Sequence, residues 1–206
     1  MTIGVFFGSR SPEHDVSIIT AELIIAGLKK LDHEAIGIYI SKSGDWFIDP
    51  RLNELAFFQA PDFENKLESL KPVSLNFRKS NKKSKIAFKT AGFGGKSFEI
   101  DLAFPAFHGE RGEDGAASGF FEFFDVPYVG CDIAASAIAM DKIFLKQVVS
   151  AAGIETAPYL GFEASRWKAE RENILTAGEN LGFPVFVKPA RLGSSIGIEK
   201  QRIEKN

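Results

Sequence analysis

Residues 3–40 read I-G-V-F-F-G-S-R-S-P-E-H-D-V-S-I-I-T-A-E-L-I-I-A-G-L-K-K-L-D-H-E-A-I-G-I-Y-I, and this stretch decides the fold. Ile3 to Phe7 is an apolar run of strand length closed by Gly8. In the loop that follows, Ser11 and Pro12 stand as N-cap and first helical position. Val16, Ile19, Leu23 and Ala26 then recur at helical spacing to about Lys30, which predicts the face that lies on a sheet. Ala35 to Ile40 is a second strand. Strand, crossover helix and parallel strand open a doubly wound α/β sheet. The loop at residues 8–15 therefore lies at the carboxyl edge, where open α/β sheets bind ligands.

The same alternation returns at Ile100 to Phe104, a predicted buried strand, and Ala116 to Phe124, a predicted helix. Between them stands P-A-F-H-G-E-R-G-E-D-G, residues 105–115. Glycines here let backbone N–H groups approach a ligand, and a helix start favours anions. Taken alone, the stretch also reads as a solvated turn. Asp45–Ile48, Pro72–Phe77 and Lys85–Lys89 predict a small antiparallel excursion, with the basic run at 79–85 as a solvated hairpin tip. Farther on, the pattern predicts a short strand at Val126–Gly130, a helix over Ile133–Ala152 and a strand at Thr156–Gly161. A helix over Glu163–Leu181 and a strand at Phe183–Pro189 follow, with Ile196–Ile198 returning from a turn at Leu192–Ser195.

Composition narrows the function classes. The 206 residues suit one large or two small domains, and 45% hydrophobic content suits a packed core. With 25 basic against 27 acidic residues, neither a nucleic-acid footprint nor a membrane-binding basic patch is visible, which favours a small-molecule partner. The single cysteine, Cys131, forms no internal disulfide, and neither a secretory leader nor a membrane span is visible, so a cytoplasmic protein is expected.

Several residues carry candidate chemistry. Glu13 lies in the first turn of the first helix, where the helix dipole alone favours an acid by about 0.3–1 kcal/mol; its functional reading is the holder of a substrate ammonium. His108, with Glu113 and Asp114, reads as an acid/base group or as metal ligands, although H-x4-E-D fits no standard zinc signature. Lys188 ends an apolar strand, where a nucleotide phosphate is a natural counter-charge and an exposed strand-end lysine the plain alternative. Gly193-Ser194-Ser195-Ile196-Gly197 is not a Walker loop. It reads either as a β-turn or as a hairpin whose N–H and hydroxyl groups grip phosphates.

Four motifs in order, G-S-R-S-P-E-H-D-V-S (8–17), H-G-E-R-G-E-D-G (108–115), P-Y-V-G-C-D-I-A-A-S-A-I-A-M-D-K (127–142) and V-K-P-A-R-L-G-S-S-I-G (187–197), resemble the D-alanine–D-alanine ligases of the ATP-grasp superfamily. The resemblance implies a Rossmann-like parallel-sheet substrate domain over 1–141 and a partial α+β ATP-grasp domain over 142–206. It implies ATP-dependent joining of two D-alanines through an acyl phosphate, for peptidoglycan precursor synthesis. By motif position, Glu13 would bind the first D-alanine's ammonium, with His108 beside it and Glu113 and Asp114 shaping the pocket. Lys142 and Lys188 would contact the phosphates of ATP, together with Gly193, Ser194 and Ser195. Ser194 would also share the catalytic hydrogen-bonded set of Glu13. The family implies magnesium or manganese and a homodimer.

Two departures bear on these expectations. Ser9 stands where the family commonly has a glycine. The chain ends at Asn206, within the family's central domain, so the magnesium ligands and the transition-state arginine are expected outside it, and the 206-residue chain alone is expected to be inactive. Alternatives are a D-alanine–D-lactate or D-alanine–D-serine ligase, and a non-catalytic D-alanine, ATP-binding or dimerisation remnant.

Overall fold

The structure, a computed structural model, describes residues 1–80, 85–92 and 94–201. The chain divides into two compact units, Met1–Ala137 and Ile138–Asn206.

The first unit is built on strands β1 (Thr2–Gly8) and β2 (Glu34–Ile40), joined by helix α1 (His14–Lys30). Short elements follow: β3 (Trp46–Phe47), a 3-10 turn at Pro50–Asn53, α2 (Leu55–Phe58), α3 (Phe63–Glu68), β4 (Val73–Leu75), α4 (Phe77–Ser80), β5 (Ile86–Thr90) and β6 (Ser97–Ile100). Then come β7 (Leu102–Pro105) and α5 (Ala116–Phe123), and α6 (Ile133–Met140) contains the boundary between the units. The sheet order is β6-β5-β4-β3-β2-β1-β7. β1 runs parallel to both β2 and β7, so the α/β core is a three-stranded parallel block. The strands from β3 to β6 extend it in antiparallel fashion. One apolar cluster on Phe6, Ile38, Ile100 and Phe121 and another on Val5, Phe7, Ile25 and Tyr39 sandwich the sheet.

Several local expectations are corrected. The expected strand at Ile100–Phe104 is broken at Asp101, whose carboxylate accepts from the Thr2 N–H at 2.8 Å and pairs with Lys85 at 2.7 Å. The chain there passes from antiparallel β6 to parallel β7. Val126–Gly130 forms only a single bridge, Tyr128 to Ala103. The basic run at 79–85 lies in the connection of the antiparallel β4–β5 pair and begins in the last turn of α4, where Lys79 pairs with Glu99; its residues 81–84 lie outside those described.

The buried face of α1 also differs. Val16, Ile19 and Leu23 are exposed, Leu23 by 69%, while His14, Ser17, Ile18, Ala21 and Ile25 face the sheet. α1 is apolar over most of its girth, so spacing could not choose between two stripes. Polar chemistry decides: the Ser17 hydroxyl accepts from the Gly8 N–H at 2.7 Å, closing the end of β1, and small Ser17 and Ala21 admit close packing.

The expected helix over 133–152, which leads into the second unit, is split between α6 and α7 (Lys142–Ala151). Asp141 takes extended backbone geometry and accepts from the N–H groups of Ile143 and Phe144, starting a new helix; such caps stabilise by about 0.5–2 kcal/mol. The helix expected at 163–181 is likewise two, α8 (Ala164–Ala169) and α9 (Arg171–Asn180), and Thr156–Gly161 is not a strand. β8 (Val185–Val187) pairs antiparallel with β9 (Glu199–Gln201), so the return strand starts one residue past Ile198 and residues 192–197 form a longer turn.

Candidate functional site

Because β1 and β7 are parallel neighbours, their carboxyl ends lie side by side, and so do the loops that leave them. Three hydrogen bonds tie the loops together. The Ala106 N–H donates to the Phe6 carbonyl at 2.8 Å. The Ser11 hydroxyl donates to the His108 carbonyl at 2.8 Å, and Arg111 Nη1 donates to the Arg10 carbonyl at 3.2 Å.

Glu13 is buried at this junction. Gly109 packs against it in left-handed geometry (φ 67°), and a side chain on Gly109 would run into the Glu13 carboxylate and the Ser11 hydroxyl. Glycine at 109 is therefore what lets the carboxylate lie against the main chain of the second loop. His108 is half-buried, and its Nε2 lies 2.8 Å from the Thr20 hydroxyl on α1. Glu113 accepts from the Gly109 N–H at 2.7 Å. Asp114 accepts from the N–H groups of Arg111 (2.8 Å) and Ala116 (3.1 Å). Both acids fold the loop on itself, a job that the run of glycines requires because glycine gives the chain no conformational preference of its own.

Beneath the junction, His14 sits between Asp15, 2.7 Å from Nδ1, and the Tyr39 hydroxyl, 3.1 Å from Nε2. Burial lowers the His14 pKa, partly offset by its hydrogen bond to Asp15. Burial raises that of Tyr39, so the phenol keeps its proton and donates to a neutral imidazole. Asp15, hydrogen-bonded by His14, is held below the usual carboxylate range. Ser9 enters this loop at φ 78°, in the left-handed region that favours glycine, and its buried hydroxyl has no hydrogen-bond partner among the described residues.

In the second unit, Lys142 lies at the start of α7. Its N–H donates to the Ala190 carbonyl at 2.9 Å and its ammonium to the Leu192 carbonyl at 2.6 Å, fixing it beside the Gly193–Ser195 turn. Ser194 and Ser195 both take positive φ, 47° and 61°, and both are exposed. Lys188 is exposed at the end of β8, its ammonium 5.8 Å from the Phe186 ring centre. Arg191 reaches back to Asp141 at 2.8 Å. Burial pushes the Asp141 carboxyl up, but Arg191 and the two helix N–H groups outweigh it and leave it below the ordinary value. The Lys142 ammonium and the two serine hydroxyls around one turn are a donor set that fits a phosphate, and Lys188, beside Phe186, is not counted in it. Among the described residues no cluster of three or more His, Cys, Asp or Glu could hold a metal ion, and no helix is long and apolar enough to cross a membrane.

Glu13, His108, Glu113 and Asp114 thus meet in the first unit, and Lys142, Gly193, Ser194 and Ser195 share one corner of the second. Ser17, Thr20 and Arg191 escaped sequence reasoning, and Ser11, expected as the N-cap of a helix that instead starts at His14 with Glu13 at its cap, joins the two loops. Ser17 and Thr20 follow Glu13 at four and seven residues, a helical spacing that points to one face, but their partners lie in other strands and loops.

Fold and site define an open-sheet α/β protein whose ligand edge is built from two loops, followed by a polar turn suited to phosphate. The chain belongs to the D-alanine–D-alanine ligase family: it matches the family described as D-ala D-ala ligase N-terminus over residues 2–131, and that described as D-ala D-ala ligase C-terminus over residues 148–206. It is 40% identical over its full length to the D-alanine–D-alanine ligase of Thermosipho melanesiensis, covering 54% of that protein. It is 38% identical to that of Kocuria rhizophila, over 96% of this chain and 52% of the relative. The chain spans about half the length of the curated relatives it matches. Among solved structures it resembles the D-alanine–D-alanine ligase of Helicobacter pylori, with a TM-score of 0.77 at 28% identity, covering 99% of this chain and 59% of that one. It also resembles the VanG D-Ala:D-Ser ligase of Enterococcus faecalis, with a TM-score of 0.74 at 33% identity, covering 97% and 55%.

Proposed function

We propose that the protein carries the first-substrate site and part of the ATP site of a ligase that joins two D-alanines. The observation that carries this reading is the buried Glu13 carboxylate, held against Gly109 and next to His108 at the carboxyl edge of the sheet. A carboxylate in that setting is complementary to the ammonium of an amino acid, and water exclusion strengthens the attraction. In this reading Glu13 binds and orients the first D-alanine, His108 lines its pocket, and Glu113 and Asp114 hold the loop closed around it. Ser194 is assigned a catalytic role by its place in the G-S-S-x-G motif.

ATP, when bound, supplies the phosphoryl group that activates the first substrate's carboxyl. Lys142, Lys188 and the Gly193–Ser195 turn would hold its phosphates. The ammonium of Lys142 has three hydrogens, and its bonds to Leu192 and Ala190 leave one for a phosphate oxygen. Magnesium belongs to the family's chemistry, and no step of it is assigned to residues of this chain. Since ATP is a cytoplasmic metabolite, the reading puts the protein in the cytoplasm. The product would serve peptidoglycan precursor synthesis.

A second copy of the chain is the partner this reading assigns to the exposed stripe Val16, Ile19, Leu23 and Ala26 on α1. A two-fold antiparallel pairing would set Asp15 at one end of the helix opposite Lys29 and Lys30 at the other. Similarity to the VanG D-Ala:D-Ser ligase supports one second reading, in which the second substrate is D-serine.

Calorimetric titration of the chain with D-alanine and with L-alanine tests the substrate site. Saturable binding of the D enantiomer alone is expected; no binding, or equal binding of both, overturns it.

A further inference from the structure

We propose that Thr20 is a positioning residue for His108, fixing which ring nitrogen His108 presents to the first substrate. The inference rests on the reading of the site given above. Thr20 Oγ1 lies 3.2 Å from the Val16 carbonyl one turn back on α1 and 2.8 Å from His108 Nε2. A hydroxyl has a single hydrogen, and a carbonyl oxygen can only accept. In this proposal that hydrogen goes to Val16, which makes the ring the donor of the 2.8 Å contact and places the His108 proton on Nε2 and its lone pair on Nδ1.

The main chain of His108 is held as well, because its carbonyl accepts from Ser11 at 2.8 Å. Both ends of the residue are thus fixed by α1 and the segment leading into it, rather than by the glycine-rich loop that bears it. That matters because Gly109 and Gly112 on the same loop would otherwise leave the imidazole free to turn. A ring pinned through Nε2 presents Nδ1 as an acceptor for an N–H of the substrate's ammonium, in concert with the Glu13 carboxylate. Thr20 touches no substrate in this scheme and acts only through the imidazole.

Two substitutions separate the hydroxyl from the bulk of the side chain. Thr20→Val keeps the shape and removes the hydroxyl, whereas Thr20→Ser keeps the hydroxyl. Nitrogen-15 correlation spectra of the histidine side chains, recorded at mildly alkaline pH where imidazoles are neutral, report the tautomer directly. The Nε2–H form is expected for His108 in the wild type and in Thr20→Ser, and a mixture of tautomers in Thr20→Val. In parallel titrations, Thr20→Val should weaken D-alanine binding by about 3- to 10-fold, the effect of one neutral hydrogen bond, with Thr20→Ser near wild type and binding of an ATP analogue unchanged.

An Nδ1–H tautomer in the wild type overturns the proposal even if Thr20→Val does not fold. So does a tautomer unchanged in a folded Thr20→Val. If the wild type binds no D-alanine, the reading of the site falls, while the spectra still decide the role of Thr20.

Discussion

The Ser11 hydroxyl donates a 2.8 Å hydrogen bond to the main-chain carbonyl of His108, joining two loops 97 residues apart in sequence. The same oxygen accepts from the Glu13 N–H at 3.1 Å, so one buried side chain sets the position of both residues assigned to the first substrate. Ser11→Ala leaves a buried donor and a buried acceptor without this partner. A loss of about 1–3 kcal/mol of stability is expected in urea titrations, together with weaker D-alanine binding. Unchanged stability and binding would show that the loops hold each other without Ser11.

Ser9 is strained where a glycine would not be. A left-handed residue with a side chain costs about 1–2 kcal/mol, and a buried hydroxyl lacking a partner adds to that; the extra freedom of glycine in the unfolded chain returns about 0.5–1 kcal/mol. The strain outweighs that return, so Ser9→Gly should raise the melting temperature. A lower melting temperature would mean that the Ser9 hydroxyl contributes more than the geometry indicates.

His14 gives the fold a pH dependence whose sign follows from burial. Its folded-state pKa lies below 6.5, so as pH falls below about 6.5 the unfolded chain takes up a proton that the folded chain refuses. Stability is complete above that pH and declines toward the lowered folded-state value, by at most about 1.4 kcal/mol per pH unit. Asp15 and the Tyr39 hydroxyl face the ring, and the Lys42 ammonium adds to the repulsion of an imidazolium. Urea unfolding of the wild type and His14→Gln at several pH values isolates the effect from His33 and His108. The variant should lose most of this slope; parallel profiles would refute the assignment.

The stripe on α1 predicts a change of assembly. Leu23 is the most exposed of its apolar residues, and Leu23→Glu would place like charges across a two-fold helix pair. Sedimentation should find a dimer for the wild type and a monomer for the variant. A monomeric wild type would remove this interface.

The strand-helix-strand opening was legible because β1 and β2 are continuous apolar runs separated by one long helix, a pattern with few alternatives. Glu13, His108, Lys142 and Ser194 were singled out by motifs that resemble those of the ligase family. What the sequence could not show was which stripe of α1 turns inward, since Ile18, Ile19, Leu23 and Ile25 offer both faces equal apolar character. That choice belongs to Ser17 and His14, two polar residues whose partners, Gly8 and Tyr39, are set by tertiary structure. The same holds for Thr20, which meets His108 only once the loop after β7 is brought beside α1. The helix break at Asp141 was readable in principle as a cap, but the apolar run on either side concealed it.

The central claim is that Glu13 holds the ammonium of D-alanine. Calorimetric titration of D-alanine into the wild type and into Glu13→Gln, which keeps the size of the side chain and removes its charge, tests it most directly. The account predicts that D-alanine binding weakens at least about tenfold, as expected when a charge-assisted hydrogen bond is lost, while affinity for an ATP analogue is retained. Equal D-alanine affinity in the two proteins would contradict it.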